Sequence, residues 1–258
     1  MERKIKLLAF DLDGTLARSK MAIEPAMASK LEELLDVCDV AIITGGRLEQ
    51  ISKQVLSKLG ADSRSSGLHL MPTCGGAYYR VLKDERDERS VVEVYSLEIE
   101  ESLRGGIKAD LERYARELGF WVDNSFGDVI EDRVTQITYS GLGQSAPVEL
   151  KEGWDPDNRK KERLRDLIAE RYPNLSVKSG GATSIDVTLK GVDKAYAIKE
   201  LLSRNKLNVN EVLYLGDRFD EKGNDYPVLS TGVSARAVKG WEESLEVVDS
   251  FLRDNLKF

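Results

Sequence analysis

Three short apolar runs, each halting on polar residues, constrain this chain more than any other feature. Lys4 to Phe10 (KIKLLAF) stops at Asp11, Val40 to Ile43 (VAII) stops at Thr44-Gly45-Gly46, and Val212 to Leu215 stops at Gly216-Asp217. A brief apolar run with polar residues at its carboxyl end is how a buried parallel strand reads. Helical patterns accompany them at Glu24 to Val37, with Leu31, Leu34 and Leu35 on one face, and at Leu48 to Leu59, Lys194 to Asn205 and Trp241 to Leu252. Strands alternating with helices at this spacing predict an α/β architecture, a doubly wound, Rossmann-like parallel sheet with crossovers. Ligands of such sheets bind beyond the carboxyl ends of the strands, where all three polar endings fall.

The middle of the chain has another rhythm. Lys83 to Arg89 (KDERDER) is charged, holds no core residue and reads as a solvated loop. Alternating stretches at Val91 to Ile99, Val134 to Ser140 and Ser184 to Leu189 are separated by helical patterns at Leu103 to Leu118 and Arg159 to Tyr172. This predicts an inserted α+β domain over 82–186, an antiparallel sheet carrying helices on one face, with 1–81 and 187–258 forming the core. A length of 258 residues gives each part material for its own hydrophobic core.

Composition excludes several classes of function. With 41% apolar and 32% charged residues the chain is globular and well solvated. Lys plus Arg is 38 against 45 for Asp plus Glu, a net charge of −7 with no basic block, so nucleic acid and anionic membrane are not expected partners. If the chain handles phosphate, a local site must do it. No segment approaches the ~18 apolar residues of a membrane span, and the first residues run straight into a strand, so the cytoplasm is the expected compartment. Cys38 and Cys74 lie far apart and are expected as two isolated buried thiols rather than a disulfide. The single histidine, His69, excludes a multi-histidine zinc site and reads as a packing or surface residue.

Carboxylates gathered at one sheet edge repel one another unless a cation sits among them, and an oxygen-only donor set suits Mg²⁺ better than Ca²⁺. Asp11-x-Asp13 opens like a calcium loop, but the later ligand positions and the closing Glu are missing. Asp11 and Asp13, two residues apart past a strand end, can address one ligand: one attacks phosphorus while the other serves the leaving group. Gly14 permits the tight turn that brings backbone N–H groups near a phosphate. Thr44 offers a hydroxyl to a phosphoryl oxygen, and Lys194, after Asp193, offers a charge.

In order and spacing, Asp11-Leu12-Asp13-Gly14-Thr15, Thr44, Lys194 and Gly216-Asp217 through Gly223-Asn224-Asp225 resemble the four motifs of the haloacid dehalogenase-like phosphatase superfamily. The resemblance implies that Asp11 is the nucleophile, Asp13 the general acid/base, and Thr44 and Lys194 phosphate stabilisers, with Gly45 among the substrate contacts. It implies a metal held by Asp11, Asp217 and the backbone carbonyl of Asp13, with Asn224 and Asp225 completing or orienting that shell. The insertion falls where the superfamily carries its large α/β cap. Inside it, Val129-Ile130-Glu131-Asp132-Arg133, Ser184-Ile185-Asp186-Val187 and Gly191-Val192-Asp193-Lys194 resemble eukaryotic-type phosphomannomutase, as does Gly223-Asn224-Asp225-Tyr226-Pro227. That likeness implies that Arg133 binds the distal phosphate of a sugar, that Ser184 and Asp186 contact its hydroxyls or phosphate, and that a homodimer through the cap is one arrangement.

Departures from the mutase pattern weigh the other way. Gly141-Leu142-Gly143-Gln144 stands where the mutases carry an arginine, and Trp121-Val122-Asp123-Asn124-Ser125 offers no counterpart to a second one. Each lost charge-assisted contact is worth ~1.5–3 kcal/mol, and Thr44-Gly45-Gly46-Arg47 looks more like the hydrolases. The leading expectation is therefore a phosphatase acting on a small phosphorylated metabolite, a sugar phosphate, through an aspartyl-phosphate. A phosphomannomutase-type mutase is the alternative. A non-catalytic sugar-phosphate sensor is the third reading, and the intact carboxylates argue against it.

Overall fold

The computed structural model describes residues 5–60, 65–83 and 88–255. In chain order its elements are β1 (Leu7–Phe10), α1 (Pro25–Val37), β2 (Asp39–Ile43), α2 (Leu48–Gln54), β3 (Leu68–Met71), β4 (Ala77–Lys83) and β5 (Arg89–Ser96). There follow α3 (Glu101–Glu117), β6 (Ile130–Asp132), β7 (Gln136–Ser140), α4 (Val148–Trp154), α5 (Arg159–Arg171), β8 (Leu175–Ser179) and β9 (Ser184–Leu189). The last group is α6 (Lys194–Arg204), β10 (Val212–Gly216), β11 (Ser234–Ala237) and α7 (Trp241–Asn255). The chain divides into two compact units, Met1–Ser96 with Asp193–Phe258, and Leu97–Val192.

The first unit is built on a seven-stranded sheet of order β11-β10-β1-β2-β3-β4-β5. Strands β11 to β3 run parallel, and β4 and β5 add an antiparallel hairpin at one edge. Apolar residues fill both faces of the central strands, as the unbroken sequence runs imply. Leu8, Phe10, Val40 and Ile42 pack on the side of α1, α2 and α7, while Leu7, Ala9, Ala41 and Ile43 pack on the side of α6. Each of the Leu, Ile, Val and Phe side chains among them contributes ~1.5–3 kcal/mol. Register places Phe10 between Leu215 and Ile42, so the polar residues after β10, β1 and β2 emerge side by side. From β1 the chain moves to β2 on one side, and α6 later leads to β10 on the other; this reversal makes the switch point where open α/β sheets bind ligands.

Strand β5 departs from the sequence reading. It was expected inside the insertion, but it pairs with β4 along seven residues from Ala77 to Lys83 and extends the large sheet. The units therefore meet after Ser96 and before Asp193 rather than at 82 and 186. Alternation reveals that a strand is half-exposed, not which sheet it joins. Helix α2 ends at Gln54, and a 3₁₀ turn over Leu56–Lys58 carries the helical stretch on to Leu59, where the pattern ends. Of the expected loop at Lys83 to Arg89, residues 84–87 lie outside the described residues. Cys38 and Cys74 do not form a disulfide; Cys38 is buried and Cys74 only half-buried. No helix among the described residues is long and apolar enough to cross a membrane.

The second unit carries an antiparallel sheet of order β6-β7-β9-β8. Ile137, Tyr139, Ile185 and Val187 project to one face and pack on Ile107, Leu111 and Ala115 of α3 and Leu164 and Ile168 of α5. Asp155, buried and four residues ahead of α5, accepts from the backbone N–H of Lys160 at 3.1 Å and of Lys161 at 2.9 Å. Those amides have no partner inside the helix, so Asp155 caps it. Asp155→Ala is expected to cost ~1–2 kcal/mol of stability, measured by denaturant unfolding; an unchanged midpoint would remove that role.

Candidate active site

Asp11 follows β1 directly, its N–H donating to Leu215 O at 2.9 Å. The next residues fold into a tight turn in which the amides of Leu16 and Ala17 both donate to Leu12 O. Gly14 sits at φ +86°, and a Cβ there would lie 2.6 Å from Asp217 Oδ2. Only glycine both adopts this backbone without strain and lets the loop lie against the carboxylate. Thr15, buried, reaches the same carboxylate at 3.5 Å.

Lys194 begins α6, whose first turn Asp193 caps by accepting from Ala195 N at 3.0 Å and Tyr196 N at 3.1 Å. Its buried ammonium donates to Asp11 Oδ1 at 2.6 Å and Asp225 Oδ1 at 2.7 Å. Asp225 also accepts from the Tyr214 hydroxyl and from Arg218 N at 2.9 Å. Asp11, Asp217 and Asp225 bring carboxylate oxygens within 4.8 Å of one another.

The electrostatics of this cluster are unbalanced. Burial pushes the Asp11 carboxyl up to about 7, with Lys194 pulling it down and Asp225 pushing it further up. Burial, and then the charge of Asp225, also raise Asp217. Burial would raise Asp225 as well, but Lys194, Tyr214 and Arg218 N hold its carboxyl below the ordinary range. Burial would lower Lys194, yet Asp11 and Asp225 hold it above its usual value. Three carboxylates and one ammonium leave two negative charges, which one divalent cation would balance. The donor set is all oxygen and suits a hard ion. The residues present thus fit a divalent-metal site; Asp225, already taken by three donors, is the member with least capacity left for an ion.

Thr44, Gly45, Asp13 and Asn224 also belong to the first unit. Thr44, buried just past β2, accepts from Gly46 N at 3.1 Å, which leaves its hydroxyl hydrogen for an incoming oxygen. A Cβ added at Gly45 beside it would stand 3.8 Å from the Cys74 thiol, an ordinary contact. Asp13 belongs to a different contact set: its carboxylate accepts from Lys20 N at 2.7 Å, Gln50 Nε2 at 2.8 Å and Gln54 Nε2 at 3.2 Å. Its side chain is outside the three-carboxylate cluster. Asn224 is exposed on the loop before Asp225.

Arg133, Ser184 and Asp186 belong to the second unit. Asp186 is paired across the sheet with Thr138 and Lys178, and Thr138 with Glu131, on the face opposite the α3–α5 core. Asp186 accepts from Gln136 and Thr138, while Arg133 Nε donates to Glu131 Oε2 at 2.8 Å. Burial raises Asp186, and the nearby Arg133 charge opposes the rise. Ser184 lies two positions earlier on the same face. Sequence reasoning missed Tyr214, Gln50, Gln54, Gln136 and Thr138. A tyrosine inside the run Val212 to Leu215 was a signal, because a buried phenol needs a partner; glutamines four apart on α2 were another, since they share a helix face.

The model of the family described as eukaryotic phosphomannomutase matches residues 27–252 of the chain. The phosphomannomutase of Spinacia oleracea is 28% identical over 227 residues, covering 86% of this chain and 85% of that protein. The phosphomannomutase of Saccharomyces cerevisiae is 24% identical over 236 residues, covering 88% and 86%. Among solved structures, Plasmodium falciparum IMP-nucleotidase superposes with a TM-score of 0.71 at 17% identity, covering 99% of this chain and 70% of that one. A haloacid dehalogenase-like hydrolase from Bacteroides thetaiotaomicron gives 0.62 at 17%, covering 97% and 100%. At these identities the structures establish the fold alone. The family match begins beyond Asp11-Leu12-Asp13-Gly14-Thr15, so that loop stands on its own geometry beside Lys194 and Asp217. With a haloacid dehalogenase-like fold and a family match across most of its length, this chain belongs to the eukaryotic phosphomannomutase family.

Proposed function

We propose that the chain moves the phosphoryl group of a sugar phosphate through Asp11 and returns it to sugar, as a hexose-phosphate mutase of the phosphomannomutase type. The carrying observation is the buried carboxylate pair of Asp11 and Asp225 bridged by Lys194, with Asp217 alongside. Asp11 Oδ bonds to phosphorus as the ester oxygen departs, and Asp13 gives that oxygen its proton. The aspartyl-phosphate is then attacked by a second sugar hydroxyl, whose proton Asp13 accepts. Lys194 balances charge on the phosphoryl oxygens, and Thr44 donates its hydroxyl to one of them. A divalent ion, Mg²⁺ by the hardness of the donors, would be held by Asp11 and Asp217 with the Asp13 carbonyl and would neutralise the oxygens of the transferring group. Arg133, Ser184 and Asp186, in the second unit, are the side chains that the family resemblance offers to a sugar's hydroxyls or phosphate.

Family membership favours the mutase over the hydrolase that the sequence alone ranked first. The hydrolytic reading keeps one specific support: Gly141-Leu142-Gly143-Gln144, after β7, offers no cation where the resemblance to the mutases implies an arginine. The two separate in one assay. Hexose 1-phosphate with Mg²⁺ and a catalytic amount of hexose bisphosphate should yield hexose 6-phosphate with little free phosphate. Stoichiometric phosphate release without isomer would overturn the mutase and establish the phosphatase.

A further inference from the structure

Asp13 is held by a side chain to which no role has yet been given. Gln50 lies in the first turn of α2 and extends its amide to Asp13 Oδ2 at 2.8 Å, while Lys20 N and Gln54 occupy Oδ1. The reach of Gln50 depends on Gly46: a Cβ there would stand 2.2 Å from Gln50 Oε1 and 2.7 Å from its amide carbon. Any side chain at 46 has to shift the Gln50 amide from the position in which it meets Asp13. Gly46 has no positive φ to account for it, so the space it leaves is its evident contribution.

Separation of Asp13 from the carboxylate cluster suits an acid for the leaving group. In-line displacement places attacking and departing oxygens on opposite sides of phosphorus, so an acid serving the departing oxygen cannot sit among the groups around the nucleophile. Gln50 Nε2 on Oδ2, with Lys20 N and Gln54 Nε2 on Oδ1, gives each carboxyl oxygen a donor, which fixes the plane and direction of the group.

We propose that Gln50 is a positioning residue for Asp13, fixing its carboxyl for proton transfer to and from the ester oxygen, and that Gly46 is small to admit it. This rests on the phosphoryl-transfer reading above and adds two residues to it. The test compares esters that differ in their need for an acid. A sugar or alkyl phosphate leaves as a strong base and needs a proton, whereas p-nitrophenyl phosphate leaves as a stable anion. Gln50→Leu fills a similar volume without hydrogen bonding, and Gly46→Ala displaces the amide while leaving Gln50 in the sequence. Both should lower kcat on the sugar phosphate about tenfold to a hundredfold with little change in KM, and lower kcat on p-nitrophenyl phosphate less than about threefold. Equal losses on the two esters, or none, would overturn the role of Gln50 while the enzyme reading stands. Wild-type protein inactive on both esters with Mg²⁺ would overturn the enzyme reading, and this inference with it.

Discussion

Replacing Asp11 with asparagine is expected to remove turnover, by at least ~10⁴-fold, while leaving the fold intact or steadier. An amide occupies the same space next to Lys194 but cannot form the phosphorus–oxygen bond. The stability side follows from linkage. Burial raises the Asp11 carboxyl to about 7, so between the ordinary carboxylate range and that value the native chain binds a proton that the unfolded chain releases. Stability of the metal-free protein therefore falls as pH rises through that window, and asparagine removes this contribution. In chelator, the variant should melt at or above wild type near about pH 8, with the advantage shrinking near about pH 5. Steady-state assays and thermal melts of the same preparations decide the matter. Wild-type turnover in the variant would exclude Asp11 as nucleophile, and a lower melting point at both pH values would refute the electrostatic account.

Lys194→Met has the larger expected effect on stability. The ammonium is fully buried between Asp11 and Asp225, at 2.6 and 2.7 Å. Methionine matches much of its length but leaves two buried carboxylates facing each other. Removing one partner of a buried pair costs ~3–5 kcal/mol, which for a chain of this size lowers Tm by roughly 10 °C. Turnover should fall at least ~10²-fold, because no fixed cation then faces the transferring group. Adding Asp225→Asn to the same chain removes one of the stranded charges and should restore part of the lost stability but none of the activity. A Lys194→Met protein as stable as wild type would mean that the two carboxylates take up protons at little cost, and that the lysine is not what holds this part of the sheet edge together.

Much of the architecture was legible in the sequence because it depends on short-range pattern. The stretches Leu7–Phe10, Val40–Ile43 and Val212–Leu215 carry no charged residue, as strands covered on both faces require. Periodicity likewise located α3, α5 and α6 to within a few residues. Strands β3, β4, β6, β8 and β11 escaped: β3, β6, β8 and β11 have five residues or fewer, too few to show a period, and β4 (AYYRVLK) does not alternate strictly. The wrong sheet assignment of β5 had a related cause: Ser90, Val91, Val92, Glu93 and Val94 are largely exposed, and exposure says nothing about which neighbour supplies the hydrogen bonds.

At the site, the sequence by itself determined which groups would gather, because Asp11, Thr44 and Asp217 each follow a strand whose neighbours the parallel order fixes. Only the tertiary structure decided how they divide their partners. It gave Lys194 to Asp11 and Asp225 together, seated Tyr214 on Asp225, and turned Asp13 toward Gln50 and Gln54. Those choices join residues from 11 to 225 along the chain, and no local pattern encodes them. They follow from which buried oxygen each donor can reach once the sheet has closed the distance.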